Sequence, residues 1–223
     1  MKAVILLSGG MDSAVCAGIA RKEGNSLYVL HVDYHQRTSL KELRCAEALA
    51  RFYGAEAFKV LSMDFLREIG GSGLIDTSIE LPMGDSPSGS ETIPPSYVPF
   101  RNSILLSFAT AWAEVVGAGA IYYGANSIDF SGYPDCRPEY FKAFQKVIDT
   151  GTRDETSILL QTPLSSMSKA DIVTKGIELH VPFELTWSCY TDAEKACGRC
   201  DSCKLRLKGF RENGLTDPIQ YRE

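Results

Sequence analysis

Nowhere in its 223 residues does this sequence hold an apolar run approaching the roughly 20 residues that span a bilayer. Its longest apolar stretches, 3–7 and 27–32, have the length of buried strands. The start of the chain has one lysine and too short an apolar segment for a secretory leader, so the expected location is cytoplasmic, with no membrane partner. An excess of basic charge is also lacking: the net charge is −5. A protein that grips a polyanion draws affinity from counterions released at a basic face, so nucleic acid is not the expected partner. No internal repeat is present, and the G-x-x-x-x-G-K-[ST] phosphate loop with its lysine is missing. What is there, 44 % hydrophobic against 23 % charged residues, is the balance of a globular protein with one sizeable core.

Apolar runs of strand length alternate with helical patterns. Strands are expected at 3–7, 27–32, 57–61, 120–124 and 157–160, and helices at 12–23, 40–53, 101–116, 138–149 and 169–179. Gly54 suits the end of the second helix, and Ser168 with Asp171 forms a capping box for the last. Such alternation predicts an α/β fold, a doubly wound and mostly parallel sheet covered on both faces. Two segments break the pattern. One is an insertion at 67–100, rich in turn residues such as Pro82-Met83-Gly84-Asp85-Ser86-Pro87-Ser88-Gly89, of a length usually found in covers or mobile loops. The other is a cysteine-bearing tail. The expected division is therefore a nucleotide-binding α/β domain over 1–186 and a metal-binding segment over 187–223.

Ser8-Gly9-Gly10-Met11-Asp12-Ser13 falls between the first strand and the first helix, where an open parallel sheet binds ligands. Glycines let the backbone approach an anion, and a helix N-terminus offers free N–H groups and a positive partial charge. Ser8 and Ser13 add hydroxyl donors, and Asp12 can hold Mg²⁺ against phosphates. The loop resembles the PP-loop of the ATP pyrophosphatases, a family that splits ATP between the α- and β-phosphates. That resemblance implies an adenine nucleotide alpha hydrolase-like fold. It places the nucleotide along Leu7, Ser8, Gly9, Gly10, Met11, Asp12, Ser13, Ala14, Val15, Cys16 and Ala17, with adenine near His31-Val32-Asp33-Tyr34. It also gives Lys169 a role on the phosphates, beside Asp12 and Ser13.

Seven cysteines is a high number for this length, and four of them crowd into Cys189-x₇-Cys197-x₂-Cys200-x₂-Cys203. Disulfides are disfavoured in a reducing compartment, so the cluster reads as a metal site. Four thiolates form a closed tetrahedral Zn²⁺ site of the structural kind, and Gly198 suits the tight turn between ligands. An iron–sulfur cluster is the alternative at this spacing. Arg199, Lys204, Arg206 and Lys208 sit in and after the cluster, either to offset thiolate charge, to line the site, or as solvated cations.

Taken with Asp33-Tyr34-His35-Gln36-Arg37, Val98-Pro99-Phe100-Arg101-Asn102 and the stretch from Asp129 to Glu139, these features resemble the 7-cyano-7-deazaguanine synthases over essentially the whole chain. Ser131-Gly132-Tyr133-Pro134-Asp135-Cys136-Arg137 is the most specific part. The resemblance implies a homodimer with Zn²⁺ on the four cysteines. It implies an ATP-dependent ligase that turns 7-carboxy-7-deazaguanine and ammonia into the nitrile through adenylated intermediates, in queuosine biosynthesis. Such a pocket needs a carboxylate for the guanine-like edge, with Asp129, Asp135 and Glu139 as candidates. It also needs a cation for the substrate carboxylate, with Arg101 or Arg137 as candidates; Tyr133 is placed with them. Cys136 is read as structural, since forming a nitrile needs no covalent thiol. Two departures stand out: His35 and Phe100 occupy positions where the family usually has glycine; a bulky ring at 100 could reshape the pocket, and His35 is either a polar pocket contact or an exposed loop residue. Rival readings are a tRNA-thiolating PP-loop enzyme using Cys136 or an iron–sulfur centre, and a zinc-ribbon binding module on an inert nucleotide fold.

Overall fold

The computed structural model describes residues 1–81, 93–128, 133–191 and 193–222. Five strands, β1 (Lys2–Leu6), β2 (Ser26–Asp33), β3 (Ala57–Ser62), β4 (Ala120–Tyr123) and β5 (Leu159–Gln161), form one sheet in the order β3-β2-β1-β4-β5. Every pairing is parallel. Because β1 is central and covered on both sides, it reads as a continuous apolar run without alternation. Ala3 and Ile5 point into one core with α1 (Met11–Lys22), α2 (Ser39–Phe52) and α6 (Lys169–Glu178). Val4 and Leu6 point into the other, with α4 (Arg101–Val116) and α5 (Pro138–Gly151). The doubly wound expectation holds. Strand order reverses between β1 and β4, so a crevice opens beyond their carboxyl ends.

Most boundaries lie within two residues of those expected. The outer edge of the last strand is covered by a side chain. The Gln145 side chain donates to the Ile158 carbonyl (2.9 Å) and accepts from the Leu160 amide (2.7 Å), taking edge groups that a further strand would otherwise satisfy. The capping box of α6 is present: Asp171 N–H donates to Ser168 Oγ (3.2 Å) and Ser168 N–H to Asp171 Oδ2 (2.9 Å).

Two helices escaped the sequence pattern. The short α3 (Asp64–Ile69) buries only Leu66, and α7 (Asp201–Glu212) begins inside the cysteine cluster. The described parts of the 67–100 insertion are packed: Leu74, Ile75, Leu81 and Val98 close over Leu66. The stretch from Pro82 to Gly89 lies outside the described residues. Phe210 of α7 enters the core shared by α1, α2 and α6. Arg206, one helical turn earlier, is completely buried and grips Asp217 through Nε (2.6 Å) and Nη2 (2.9 Å). It is thus no solvated cation, unlike Arg199 and Lys208, which are exposed. No helix among the described residues is long and apolar enough to cross a membrane.

Candidate active site and metal centre

The chain leaves β1 into a turn that only glycine permits. Gly9 has φ +87°, and a Cβ there would stand 2.4 Å from the Glu42 carbonyl oxygen. α1 then starts at Met11, and its first internal bond is Ala14 N–H to Gly10 O (3.0 Å). The amides of Met11, Asp12 and Ser13 therefore have no intrahelical partner and face the crevice. Ser8 Oγ accepts from Gly10 N–H (3.2 Å) and lies 3.0 Å from Ser13 Oγ, so two hydroxyls and the helix end converge. Lys169, the first residue of α6 and only 7 % exposed, places its Nζ 2.8 and 3.0 Å from the two Asp12 oxygens. Gly209 of α7 lets that lysine pass: a Cβ there would meet Lys169 Cγ at 2.8 Å. Of the predicted nucleotide segment, Leu7, Ser8, Gly10, Met11, Asp12 and Ser13 line the cavity. Ala14, Val15, Cys16 and Ala17 turn their side chains into the core, where burial pushes the Cys16 thiol well up.

The cavity holds about 250 Å³ and runs from this loop to a wall built by Tyr34, Glu42, Arg101 and Tyr133. Leu30 and Val32 of β2 line it as well, where adenine was expected, while His31 is buried behind the strand. Arg101 opens α4, donates from Nη1 to the Tyr34 hydroxyl (2.9 Å) and lies over that ring, 5.3 Å from its centroid. Its Nε is buried with no partner among the described residues, the mark of a guanidinium with capacity to spare. Tyr133 is held by Ser96, its hydroxyl 2.7 Å from Ser96 Oγ.

The other expected substrate residues are not gathered there. Asp135 accepts from the Asn102 backbone N–H (3.0 Å), capping α4 in place of a ligand, and burial raises its pKa. Arg137 and Glu139 are exposed at the start of α5 and do not line the cavity. Asp129 lies outside the described residues. Cys136 does line it, but burial pushes its thiol up to about 11, so it is protonated at neutral pH and a poor nucleophile.

His35 and Phe100 both adopt left-handed backbone, with φ 60° and 57°. That accounts for the glycine expected at both positions, because L side chains resist this region. The expectation that Phe100 reshapes the pocket is corrected: its ring is 64 % exposed and faces away from the cavity lining. His35 instead pairs with Asp64 of α3. Glu42 is the residue the sequence reading missed. It lines the cavity from the first turn of α2, accepting from Thr38 Oγ1 (2.6 Å) and Gln36 Nε2 (2.9 Å). Nothing local distinguished it from the solvated glutamates typical of a helix start.

The sulfurs of Cys189, Cys197, Cys200 and Cys203 all lie within 4.8 Å of one another. A tetrahedral ion with Zn–S bonds of ~2.3 Å needs sulfurs ~3.8 Å apart, and Cys197 Sγ is 3.9 Å from Cys203 Sγ. Backbone amides point at the sulfurs: Cys197 N–H at Cys189 Sγ (3.3 Å), and the Arg199 and Cys200 amides at Cys197 Sγ (3.4 and 3.3 Å). Gly198, at φ 68°, makes the turn between them. The geometry fits one small metal ion shared by four thiolates. A four-iron cluster, in which each thiolate binds a different iron, would hold the sulfurs further apart. The centre is tied to the phosphate loop and to the start of α2: Trp187 N–H donates to Gly9 O (2.9 Å) and Thr38 Oγ1 to Cys189 O (3.2 Å).

Comparison with solved structures bears on the fold. A 4-thiouridine synthetase–RNA complex with bound ATP superposes with a TM-score of 0.56 at 20 % identity, over 99 % of this chain and 47 % of that one. A predicted tRNA methyltransferase subunit from Methanocaldococcus jannaschii gives 0.51 at 17 % identity, over 100 % and 93 %. Sequence relatives are far more similar. The 7-cyano-7-deazaguanine synthase of Chlorobaculum parvum is 51 % identical over 99 % of this chain and 96 % of its own. That of Methanospirillum hungatei is 49 % identical with both chains covered in full. With the model of the queuosine biosynthesis protein QueC matching residues 2–214, the chain belongs to the QueC family.

Proposed function

We propose that this chain is an ATP-dependent ligase that converts 7-carboxy-7-deazaguanine and ammonia into 7-cyano-7-deazaguanine, adenylating its substrate at each of two steps. The observation that carries this reading is a single cavity with a phosphate cradle at one end and a partly unsatisfied guanidinium, Arg101, at the other. The free amides of α1, the Ser8 and Ser13 hydroxyls and Lys169 grip the β- and γ-phosphates together, which favours their departure as pyrophosphate. Asp12 is the carboxylate that would hold Mg²⁺, whose charge relieves phosphate repulsion when bound. Arg101 binds the substrate carboxylate with charge-assisted hydrogen bonds, and Tyr133 lines the heterocycle's side.

The four cysteines would hold Zn²⁺, a closed four-thiolate set whose role would be to keep residues 187–203 folded against the loop and not to supply catalysis. A homodimer is supported by apolar side chains left in solvent on α4, Phe108 and Val115, which lie seven residues apart on one face. The negative net charge and the cavity's size favour a small-molecule substrate over nucleic acid.

Two oxygens must leave a carboxylate before it becomes a nitrile, and each leaves only once adenylated. One activation and ammonia attack give the amide; a second activation and loss of AMP close the C≡N bond. Nucleotide quantification tests the reading: two AMP and two pyrophosphate are expected per nitrile. The synthetic amide should be turned over with one ATP and no ammonia. ADP and free phosphate as primary products, or an inert amide, would sink it.

A further inference from the structure

Ammonia at neutral pH is mostly ammonium, and every nitrogen in this reaction loses protons on the way to the nitrile. A proton acceptor is therefore required near the reacting carbon. Resting on the reading above, we propose that Glu42 is this base. It takes a proton from nitrogen as ammonia adds to the acyl adenylate, and again as the adenylated amide collapses to the nitrile.

Among the described residues that line the cavity, the only carboxylates are Asp12 and Glu42. Asp12 is held by Lys169 through both oxygens, at the phosphate end. Glu42 lines the same cavity from α2, with its backbone packed against Gly9 and its side chain held by Thr38 and Gln36. Its two oxygens accept only neutral donors, Thr38 Oγ1 and Gln36 Nε2, so each keeps a lone pair for a further proton. Arg101 and Glu42 both act on Tyr34 and face one cavity without joining in an ion pair. A carboxylate held on Arg101 thus presents its carbon beside Glu42. The groups that set the charge around Glu42 are Thr38 and Gln36 in the preceding loop, His31 on β2 and Arg101 on α4. Burial outweighs them and lifts the carboxyl above the usual range. That strengthens the conjugate base and brings it nearer working pH.

The steps balance. Ammonium gives its first proton to water, and ammonia enters as the free base. Ammonia forms the C–N bond as the C–O bond to AMP breaks, and Glu42 carboxylate takes the proton that nitrogen sheds, so the products are the amide, AMP and the Glu42 carboxylic acid. Glu42 returns that proton to water; after the second adenylation the C=NH₂⁺ nitrogen loses one proton to water and the other to Glu42. The C–O bond to the second AMP breaks and its electron pair leaves with AMP. No oxidant or reductant is needed.

Glu42→Gln and Glu42→Asp, made in the full-length protein, test this. Conversion of the synthetic amide to the nitrile, which removes ammonia's own ionisation from the measurement, should fall ~100-fold or more in E42Q. The acid limb of its pH–rate profile should be lost. E42D, which retains a carboxylate, should recover at least tenfold of that loss. Carboxylate-dependent ATP–pyrophosphate exchange reports adenylation alone and needs no base; it should fall by less than about a tenth of the loss in nitrile formation. The proposal is overturned if exchange collapses in parallel, which would make Glu42 a reader of the heterocycle or a structural group. It is equally overturned if E42Q converts the amide within about threefold of the wild-type rate. Wild-type protein without carboxylate-dependent exchange would instead sink the substrate reading itself, and Glu42's role with it.

Discussion

The phosphate loop and the cysteine centre are both short, contiguous in sequence and joined by the Trp187–Gly9 hydrogen bond, yet they are built for opposite ends. In the loop, side chains at 8, 12 and 13 line a cavity beside the free amides that open α1. In the centre, three of four sulfurs are buried and backbone amides are already directed at them. Polar groups that face a cavity can be changed with little effect on the fold, because water replaces what they lose. Thiols gathered within 4.8 Å of one another cannot, because a shared metal is what would compensate their crowding. The loop should therefore govern rate and the centre stability.

The largest separation is expected from the loop. Asp12→Asn keeps an acceptor for Lys169, and Ser13→Ala removes one hydroxyl. Each should cut turnover by at least ~10²–10³-fold, as deleting an electrostatic contact to a reacting phosphate does, with the melting temperature nearly unchanged. Near-normal ATP consumption by both variants would refute the assignment of this loop as the phosphate site.

At the cysteine centre the order reverses. Cys200→Ser should lower metal content below one ion per chain and cost several kcal/mol, since binding at a structural thiolate site is itself folding free energy of order ~10 kcal/mol. The measurements are elemental analysis and thermal unfolding with and without a chelator. One zinc per wild-type chain is expected; iron with acid-labile sulfide would revive the thiolation rival. A Cys200→Ser protein that stays fully stable but slow would erase the contrast between the two regions.

The smallest effect sharpens the comparison from outside both regions. Phe100→Gly relieves a left-handed residue whose ring is in solvent. It should stabilise the protein by about 1 kcal/mol, raising the melting temperature by ~2–4 °C, with turnover unchanged. A drop in stability would mean that the exposed ring is covered in solution, consistent with a subunit interface along α4.

Much of this was open to reading without coordinates. An apolar strand followed by Ser8-Gly9-Gly10-Met11-Asp12-Ser13 and a helix can bind an anion almost wherever it is placed, because the donors are its own backbone. The four cysteines fall within a span of 15 residues and can hold one ion together, so spacing alone brings them close. Continuous apolar strands alternating with helices likewise dictated a parallel sheet buried on both faces.

The opposite wall of the cavity could not be read that way. Tyr34, Glu42, Arg101 and Tyr133 come from four separate stretches and meet only because β2, α2 and α4 converge beyond the carboxyl ends of the sheet. Asp135 and Arg137 belong to the most specific stretch of the sequence, yet one caps α4 and the other faces solvent. Glu42 resembles any helix-start glutamate until the fold turns it inward. Arg206 resembles a surface cation until α7 buries it against Asp217. Residue type and local spacing set what a backbone segment can bind. Which side chains share a cavity is set by burial among residues distant in the chain, and only the tertiary structure decides that.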